Sequence, residues 1–378
     1  MYRNAISLFA GAGGLDIGIK KAGFDVKLAV EIEPTYCKTL QANFPSLTVK
    51  EGNVMDYSRD RIYEEADLND DEEIDLFIGG SPCQSFSTAG KRQAFEDPRG
   101  QAMLKFANLV QEVQPKVFLL ENVRGLLSSA LKHVPLAERE TRPLEPDEQR
   151  GSAFRHLLEH FGNYEVSVAL INAADYGVAQ TRERVFIVGV REDFRTEYSF
   201  PEPTHDKHGT NGKDYWRTVG DIFEELNVSK HNHVNYSADR LKWMKMIPKG
   251  GGNWRDLRQY GEDVVREAMG GAYESGGGKV GFFRRVSLNK PAPTLLTSPS
   301  QKSTNLGHPL EDRPLSIEEY LAIQEFPKGY YVAGTLSQQY TQIGNAVPIR
   351  LAQVLGESIF NMLNKIEKPQ ELSNSMVR

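Results

Sequence analysis

The first two dozen residues constrain the fold more than any other part of this sequence. Ala5-Ile6-Ser7-Leu8-Phe9 is an apolar run typical of a buried strand, and the turn Ala10-Gly11-Ala12-Gly13-Gly14 follows it directly. Apolar residues then recur at helical spacing from position 15 to position 22, before a glycine that ends the helix. A strand, a glycine turn and a helix in this order predict the nucleotide-binding opening of a doubly wound α/β sheet.

The next segments indicate which kind of nucleotide is bound. The dinucleotide motif G-x-G-x-x-G is incomplete, because Asp16 stands where its third glycine belongs. A second strand, Val26 to Val30, ends at Glu31, where a carboxylate can accept hydrogen bonds from a ribose diol. A third strand-like patch leads to Gly52-Asn53-Val54, which is placed to reach an adenine edge. We therefore expect an adenosine-type ligand that lacks a pyrophosphate.

A cysteine follows the next predicted strand. Ile74-Asp75-Leu76-Phe77-Ile78 reads as a buried strand that stops at Gly79-Gly80-Ser81-Pro82, so Cys83 is expected on a loop at the end of the strand. Most lone cysteines are small buried hydrophobes. The polar neighbours Gln84, Ser85 and Ser87 are a poor lining for an apolar core, and they favour a nucleophile instead. The stretch from position 88 to position 100 has glycine near both ends and reads as a lid.

Two further segments carry charged side chains into apolar surroundings. Lys116-Val117-Phe118-Leu119-Leu120 predicts a buried strand that ends at Glu121, although a solvated loop acid is the alternative. The run 180–189 predicts one strand with Gln180, Arg182 and Arg184 on one face, and a surface edge strand is the alternative. Buried arginines need anionic or carbonyl partners. The charged insertion 128–150 between these segments receives no predicted role.

Composition and cysteine count limit the class of protein. A chain of 378 residues is long enough for two domains, and two cysteines without nearby histidine pairs argue against disulfides and a zinc site. We therefore expect an intracellular, cytoplasmic protein without a metal. No apolar run reaches membrane-spanning length, and the N-terminus lacks a signal pattern, so no membrane partner is expected.

The segment from Pro201 to Lys290 differs from the rest of the chain. It loses the alternation of strands and helices, contains three glycine clusters, and holds all three tryptophans, Trp216, Trp243 and Trp254. Basic residues outnumber acidic ones here, although the whole chain has a net charge of −6, so an acidic total does not exclude a DNA-binding cleft. An inserted second domain is predicted, with the tryptophans either in its core or at a binding surface.

Five motifs in this order resemble those of the DNA (cytosine-5) methyltransferase family, and they span most of the chain. The resemblance implies a Rossmann-like catalytic domain with a smaller inserted target-recognition domain, and a prokaryotic restriction–modification enzyme. The motifs are Phe9-Ala10-Gly11-Ala12-Gly13-Gly14, Pro82-Cys83-Gln84, Glu121-Asn122-Val123, Gln180-x-Arg182-x-Arg184 and Gln342-x-Gly344-Asn345-Ala346-Val347-Pro348.

The resemblance implies domain boundaries and partners. Residues 1–191 would form the catalytic domain, 192–284 the target-recognition domain, 285–336 its remainder and the return segment, and 337–378 a C-terminal helix that packs back on the catalytic domain. S-adenosylmethionine would be the methyl donor, with S-adenosylhomocysteine as product. The partner would be double-stranded DNA, bound by a monomer in the nucleoid, and a companion restriction endonuclease would act on the same site.

The resemblance also implies roles for individual residues. Cys83, Glu121, Arg182 and Arg184 would form the catalytic set. The cofactor set would be Phe9, Ala10, Gly11, Gly13, Gly14, Leu15, Glu31, Ile32, Asn53, Val54, Pro82, Asn345, Ala346 and Val347. The DNA contacts would be Gln84, Ser85, Ser87, Arg99, Lys249 and Arg255.

The chemistry explains these residue types. Carbon 5 of cytosine is a poor nucleophile, so a thiolate at Cys83 would first add to carbon 6 of a cytosine flipped out of the duplex. Glu121 would act at ring nitrogen 3 and Arg184 at the exocyclic oxygen. A transfer-RNA cytosine-5 methyltransferase and a catalytically silent DNA-binding relative are the alternatives.

Overall fold

The computed structural model describes residues 3–82, 94–139, 141–276 and 278–375. Residues 83–93, which contain Cys83, Gln84, Ser85, Ser87 and the first part of the predicted lid, lie outside these residues. The rest of the predicted lid, 94–100, forms a 3-10 helix, Ala94–Glu96, and the start of the helix Pro98–Val113, and of Arg99 only the backbone is described. The chain divides into two compact units. The first comprises residues 1–172, 183–202 and 351–378, and the second comprises residues 173–182 and 203–350.

Helices and strands alternate through the first 123 residues. The strands of the chain are β1 (Arg3–Leu8), β2 (Phe24–Glu31), β3 (Thr48–Glu51), β4 (Leu76–Gly80), β5 (Val117–Val123), β6 (Tyr164–Asn172), β7 (Gln180–Thr181), β8 (Glu183–Arg191), β9 (His205–Asp206), β10 (Asp214–Tyr215) and β11 (Ala292–Pro293). The helices are α1 (Gly14–Lys21), α2 (Pro34–Asn43), α3 (Arg59–Glu65), α4 (Pro98–Val113), α5 (Leu136–Arg139), α6 (Ser152–Glu159), α7 (Val219–Glu225), α8 (Ala238–Met246), α9 (Glu262–Met269), α10 (Ile317–Ile323), α11 (Leu336–Asn345) and α12 (Ile349–Ser375).

The first unit is built on a seven-stranded sheet with the order β3-β2-β1-β4-β5-β8-β6. The pairs from β3 to β5 are parallel, whereas β8 runs antiparallel to both β5 and β6. The strand order reverses between β1 and β4, and in such sheets ligands bind outside the carboxyl ends of the strands at this position. The predicted doubly wound, Rossmann-like fold is confirmed.

The core of this unit lies where α4 and α6 cover the sheet. Met103, Phe106 and Val110 recur at helical spacing in α4, and all three side chains are buried in the main apolar cluster. The ring of Phe118 in β5 stacks on Phe161, with 4.3 Å between their centroids. Burial of these large side chains holds the parallel strands in register, so that their carboxyl ends form a single edge.

The last helix, α12, packs on the first unit. The predicted apolar stripe of Leu351, Leu355 and Ile359 is confirmed, because all three side chains are fully buried. The ring of Phe360 meets that of Phe24 edge to face, with 5.4 Å between centroids. The segment from position 337 onwards is two helices rather than one, because Pro348 cannot continue α11.

Charged residues join α12 to the sheet. Asp75, in the run predicted as a buried strand, is buried and pairs with Arg3 at 3.1 Å and Lys116 at 2.9 Å. Glu367 of α12 pairs with the same two cations, at 2.7 Å and 2.8 Å. Two carboxylates and two cations therefore balance each other here, which lets the group lie in a partly buried position.

The second unit has its own apolar core. Trp243 and Trp254 are buried in it with Met244, Leu257 and Met269, so these two tryptophans are core residues. The Nε1 of the third, Trp216, donates to Asp175 at 2.8 Å. Across the described parts of both units, we find no helix with the length and apolar character needed to span a membrane.

We predict that Leu355→Ala destabilises the protein by about 2–5 kcal/mol, because the truncation leaves a cavity under α12. Urea unfolding followed by circular dichroism measures the change. The neighbouring exposed substitution Glu357→Ala is the control, and we expect it to alter the free energy of unfolding by less than about 0.5 kcal/mol. Equal effects of the two substitutions would contradict the packing assigned to α12.

Candidate active site

Chemically active side chains of the first unit meet at the carboxyl edge of the sheet. Phe9 follows β1, Glu31 ends β2, Ser81 follows β4, and Glu121 lies near the end of β5. These four strands are parallel, so their ends share one edge. Because β8 runs the opposite way, Arg184 near its start lies at the same edge. Residues far apart in the chain are thus brought together by strand direction alone.

The turn after β1 is held in a tight conformation around a carboxylate. Phe9, Gly11 and Gly13 have φ values of 56°, 58° and 77°, in the left-handed region that favours glycine. The N–H of Gly11 donates to Oε2 of Glu31 at 2.8 Å, and the N–H of Glu33 donates to Oε1 at 2.9 Å. Burial raises the pKa of Glu31, and these backbone donors partly offset the rise.

The other residues predicted to hold the cofactor in this unit have different surroundings. Ala10, Leu15 and Val54 are buried, and Val54 belongs to the main apolar cluster. Ile32 is 57% exposed directly beyond Glu31, where an apolar surface faces outward. Asn53 is exposed, and its Oδ1 accepts the N–H of Met55 at 3.1 Å, so one lone pair of the amide oxygen is already engaged.

Asp16, in the first turn of α1, is a buried carboxyl beneath this loop. No described residue hydrogen-bonds either of its oxygens; the Ser7 hydroxyl favours the charged form without reaching hydrogen-bond geometry. Burial raises its pKa to about 6, opposed by Ser7 and increased further by the charge of Glu31. The residue that breaks the dinucleotide motif is therefore a carboxyl that ionises near neutral pH.

Glu121 and Arg184 form an ion pair across β5 and β8. The Nε of Arg184 lies 2.9 Å from Oε1 of Glu121, and both side chains are largely buried. Gly80 is the partner of Glu121 in the register of β4 and β5, and a Cβ added at Gly80 would lie 3.6 Å from Oε2. The glycine therefore leaves space beside the carboxylate. Of the predicted catalytic set, the described structure brings these two residues together.

Sequence reasoning did not single out the contact between Asn122 and Ser81. The Nδ2 of Asn122 donates to the Ser81 hydroxyl at 2.9 Å, and both residues are buried. Ser81 and Pro82 are the last described residues before the predicted nucleophile. The amide therefore holds the chain at the point where it leaves β4. The position of Asn122 between Glu121 and Val123 in the motif was the sequence feature that could have indicated a role for its amide.

The prediction of one continuous strand over 180–189 is wrong. β7 ends at Thr181 and β8 begins at Glu183, and Arg182 between them belongs to the second unit while Arg184 belongs to the first. The guanidinium of Arg182 is fully buried and donates to the carbonyls of Leu295, Gly344 and Asn345, at 3.3, 2.9 and 3.1 Å. A buried cation with several donors needs such acceptors, so the described contacts of Arg182 are structural.

The turn that carries Asn345, Ala346 and Val347 lies in the second unit. Gln324, which sequence reasoning did not single out, binds its carbonyls. Gln324 is fully buried, and its Nε2 donates to the carbonyls of Ile343 and Ala346 at 2.7 and 3.0 Å. Together with Arg182, it binds four successive carbonyls of this turn. A glutamine directly after the apolar residues of α10 was the signal that could have indicated a buried polar contact.

The two predicted DNA contacts in the second unit differ in their partners. The Nζ of Lys249 lies 2.5 Å from the carboxylate of Asp312, which also pairs with the guanidinium of Arg285. Arg255 is exposed, and its guanidinium lies 5.4 Å from the ring centroid of Trp254. Within the ranges that the structure describes, no group of three or more histidine, cysteine or acidic side chains is arranged to hold a metal ion.

The doubly wound sheet and the carboxylates at its carboxyl edge define a Rossmann-like methyltransferase. The sequence matches the family of C-5 cytosine-specific DNA methylases over residues 3–361, and the chain belongs to that family. It is 38% identical to the Type II methyltransferase M.Sau96I of Staphylococcus aureus, over 96% of this chain and 76% of that enzyme. It is 37% identical to the Type II methyltransferase M.Eco47II of Escherichia coli, over 96% of this chain and 80% of that enzyme.

Solved structures agree with this assignment. A putative DNA modification methyltransferase encoded within a prophage of E. coli superposes with a TM-score of 0.64 at 26% identity, over 96% of this chain and 99% of that one. The Entamoeba histolytica methyltransferase EhMeth shares the fold, with a TM-score of 0.62 at 15% identity over 96% and 99% of the two chains. The protein is a DNA (cytosine-5-)-methyltransferase of the restriction–modification type.

We predict that Asp16→Asn removes a pH dependence of stability. The pKa of Asp16 is higher in the folded protein than in the unfolded chain, so the folded state retains the proton between about pH 4 and pH 6. The stability of the wild type therefore falls as the pH rises through this window. The asparagine variant lacks this fall, so its free energy of unfolding relative to that of the wild type should increase by roughly 2–3 kcal/mol between pH 4 and pH 7. Thermal unfolding across pH 4–7 measures it.

The control is Asp60→Asn, because that side chain is exposed. This variant should retain the pH profile of the wild type. If the pH dependence of stability is the same in Asp16→Asn and in the wild type, folding does not raise the pKa of Asp16, and the side chain is charged in the folded protein at neutral pH.

Proposed function

We propose that this enzyme transfers the methyl group of S-adenosylmethionine to carbon 5 of a cytosine flipped out of a specific duplex site, through a covalent bond between Cys83 and carbon 6. The observation that carries the proposal is the Glu121–Arg184 pair at the carboxyl edge of the sheet, beside the point where the chain leaves β4 towards Cys83. A carboxyl and a guanidinium side by side match the donors and acceptors on one edge of cytosine.

The residues around Glu31 fit the proposed methyl donor. Members of this family are S-adenosylmethionine-dependent. The Glu31 oxygens accept the N–H groups of Gly11 and Glu33, which fixes the carboxylate so that its remaining lone pairs can accept a ribose hydroxyl. The exposed side chain of Ile32 offers an apolar surface for a ring, and the left-handed turn at Gly11 and Gly13 brings the backbone close to a ligand. When bound, the cofactor supplies an electrophilic methyl group.

Addition of a thiolate is the step that makes carbon 5 reactive. The Cys83 sulfur would form a bond to carbon 6 of cytosine, and the π electrons of the ring would move towards nitrogen 3. Carbon 5 would then attack the methyl group. Loss of the proton from carbon 5 to a base would re-form the double bond and break the bond to sulfur. Cys37, the other cysteine, is buried in α2 and its pKa is raised to about 12, so it is unsuited to this role.

Glu121 and Arg184 would act on the opposite side of the ring. Glu121 would take up a proton from solvent when the cytosine binds and would donate it to nitrogen 3, which neutralises the charge that the thiolate addition places there. Arg184 would hold the carboxyl through Nε, and its Nη1 donates to the Glu183 carbonyl at 2.8 Å, so the Nη2 donors would be directed at the exocyclic oxygen. Arg182 would support the turn at Asn345, and we assign it a positioning role because its donors bind backbone carbonyls.

The remaining parts of the proposal concern the DNA. A cytosine stacked in a duplex cannot reach a thiol in a pocket, so the base would be extruded. The loop that contains Gln84, Ser85 and Ser87 would close over it, with Arg99 at a phosphate. We propose double-stranded DNA as substrate, a protein that acts as a monomer, and a companion endonuclease that cuts the same unmethylated site.

We predict that Cys83→Ser abolishes methyl transfer and leaves cofactor binding unchanged, because the hydroxyl is a much weaker nucleophile than a thiolate. Bisulfite sequencing of the expression plasmid measures transfer, and calorimetry with S-adenosylhomocysteine measures binding. Cys37→Ala is the matched control and should retain activity. Full plasmid methylation by Cys83→Ser, or no covalent adduct of the wild type with a 5-fluorocytosine duplex, would refute the mechanism. Preferential methylation of transfer RNA would refute the substrate.

We predict that Glu121→Gln and Arg184→Ala each lower the rate of a single turnover by about 10²–10³, because each removes charge stabilisation at the ring. Rapid quench with a labelled methyl donor measures the rate at saturating DNA. Arg124→Ala is the control, because that side chain is exposed although it too forms an ion pair, with Glu183. Wild-type rates in both Glu121→Gln and Arg184→Ala would contradict the roles assigned to the pair.

A further inference from the structure

The buried carboxyl of Asp16 has no role in the reaction proposed above, and it lacks the hydrogen bond that its position in the helix offers. Gly13 is the N-cap of α1, so Asp16 is the third residue of the helix. A carboxylate at this position can reach back and accept the backbone N–H of the N-cap. Asp221 does so in α7, where it accepts the N–H of Thr218 at 2.7 Å.

The glycine turn removes that donor from Asp16. The N–H of Gly13 donates to the carbonyl of Ala10 at 2.9 Å instead, in a turn with left-handed φ values at Gly11 and Gly13. Both carboxyl oxygens of Asp16 are buried, and no described residue hydrogen-bonds either of them. The conformation of the turn therefore leaves a buried carboxyl beneath it without a hydrogen-bond partner among the described residues.

Two side chains of the sheet act on this carboxyl, and neither is a cation. The Ser7 hydroxyl of β1 favours the charged form of Asp16, and the negative charge of Glu31 in β2 opposes it. Gly356 of α12 contacts α1 at Ile19, one turn further along the helix. An unpaired carboxylate in a protein interior is unfavourable, and a positive charge brought close by a ligand would stabilise it.

The cofactor of this family carries such a charge. Members are S-adenosylmethionine-dependent, and the sulfonium of this methyl donor becomes a neutral thioether in the product. In the proposed site the ribose lies at Glu31, and the sulfur is one carbon away from the ribose. The N–H of Gly11, which binds Glu31, belongs to the turn that covers Asp16. The sulfonium would therefore lie at this turn, whose glycines have no side chains to separate the ligand from the carboxyl.

We propose that Asp16 is a buried counter-charge for the sulfonium of the cofactor, and that its ionised form favours S-adenosylmethionine over the product S-adenosylhomocysteine. The two ligands share the adenosine, the ammonium and the carboxylate, so the sulfonium is the charge by which their response to Asp16 differs. Methyl transfer removes this attraction, which favours release of the product. This inference rests on the proposed use of S-adenosylmethionine and is independent of Cys83 and of the DNA.

The preference depends on pH, because burial raises the pKa of Asp16 to about 6 in the free protein. Below about pH 5 the carboxyl is neutral, and the ratio of the two affinities is at its lowest. Above about pH 7 the carboxyl is ionised, and attraction between unit charges in a partly buried site should raise the ratio about tenfold in favour of S-adenosylmethionine. By linkage, the sulfonium lowers the pKa of Asp16, so its binding at pH 6 releases a larger fraction of a proton than binding of the thioether.

The test measures cofactor binding without DNA or methyl transfer. Isothermal titration calorimetry of the protein gives both dissociation constants at pH 5, 6 and 7, and two buffers of different ionisation enthalpy at pH 6 give the protons released. We expect the wild-type ratio of the dissociation constant of S-adenosylhomocysteine to that of S-adenosylmethionine to rise about tenfold from pH 5 to pH 7. Asp16→Asn should keep the low ratio at every pH and lose the additional proton release. Ser7→Ala should shift the rise to higher pH, because it removes a group that favours the ionised form.

The control is Asp60→Asn, because that side chain is exposed, and its ratio should follow that of the wild type. A wild-type ratio that stays constant from pH 5 to pH 7 would overturn the proposal, and so would the same rise in Asp16→Asn as in the wild type. If Asp16→Asn does not fold, the wild-type profile and its shift in Ser7→Ala decide the outcome. Failure of the wild type to bind either ligand would refute the proposed cofactor as well, whereas binding of both ligands with a constant ratio refutes this inference alone.

Discussion

The ion pair between Glu121 and Arg184 depends on a single antiparallel strand. In a sheet of parallel strands, side chains at the carboxyl edge come from strand ends, and an arginine at the start of a parallel strand would lie at the opposite edge. Because β8 runs against β5, the beginning of β8 meets the end of β5, and the guanidinium lies 2.9 Å from the carboxylate. The pairing of Val123 with Arg184 in the register sets this contact, and a shift of one residue would place Arg184 on the other face.

The same edge explains why a carboxyl such as Glu31 can be buried beside a glycine turn. Its oxygens are bound by N–H groups of Gly11 and Glu33, which replace the water that the carboxylate loses. Asp16, in the first turn of α1, has no hydrogen-bond partner among the described residues, and burial raises its pKa to about 6. Two acids in similar surroundings therefore differ in how well their charge is compensated.

The second unit uses buried side chains to shape a turn. Arg182 and Gln324 bind the carbonyls from Ile343 to Ala346, and Gly344 lies so close to Leu296 that a Cβ would be 2.5 Å from its carbonyl oxygen. These contacts explain why the motif contains a glycine and why the arginine is buried. They also show that three residues of one short motif, Gln180, Arg182 and Arg184, can serve two different compact units.

Much of this architecture was predictable because it depends on local pattern. Apolar runs marked β1, β2, β4 and β5, with glycines after those of β1 and β4, and the stripe of Leu351, Leu355 and Ile359 marked α12. The strand break at Arg182 was not predictable, because an alternating pattern of period two continues across it and only the distant carbonyl acceptors end the strand. The buried position of Gln324 likewise depends on partners far away in the chain.

The sequence alone determined the class of fold, the family and the candidate catalytic residues, because strand and helix periodicity, glycine turns and ordered motifs are properties of short stretches. Only the tertiary structure decided which of those residues meet. It paired Glu121 with Arg184, bound Arg182 to backbone carbonyls, and placed Lys249 and Arg285 on one carboxylate, that of Asp312. The reason is physical: whether a charge is available to a ligand depends on its desolvation and on its partners in space, and neither is encoded in the residues next to it in the chain.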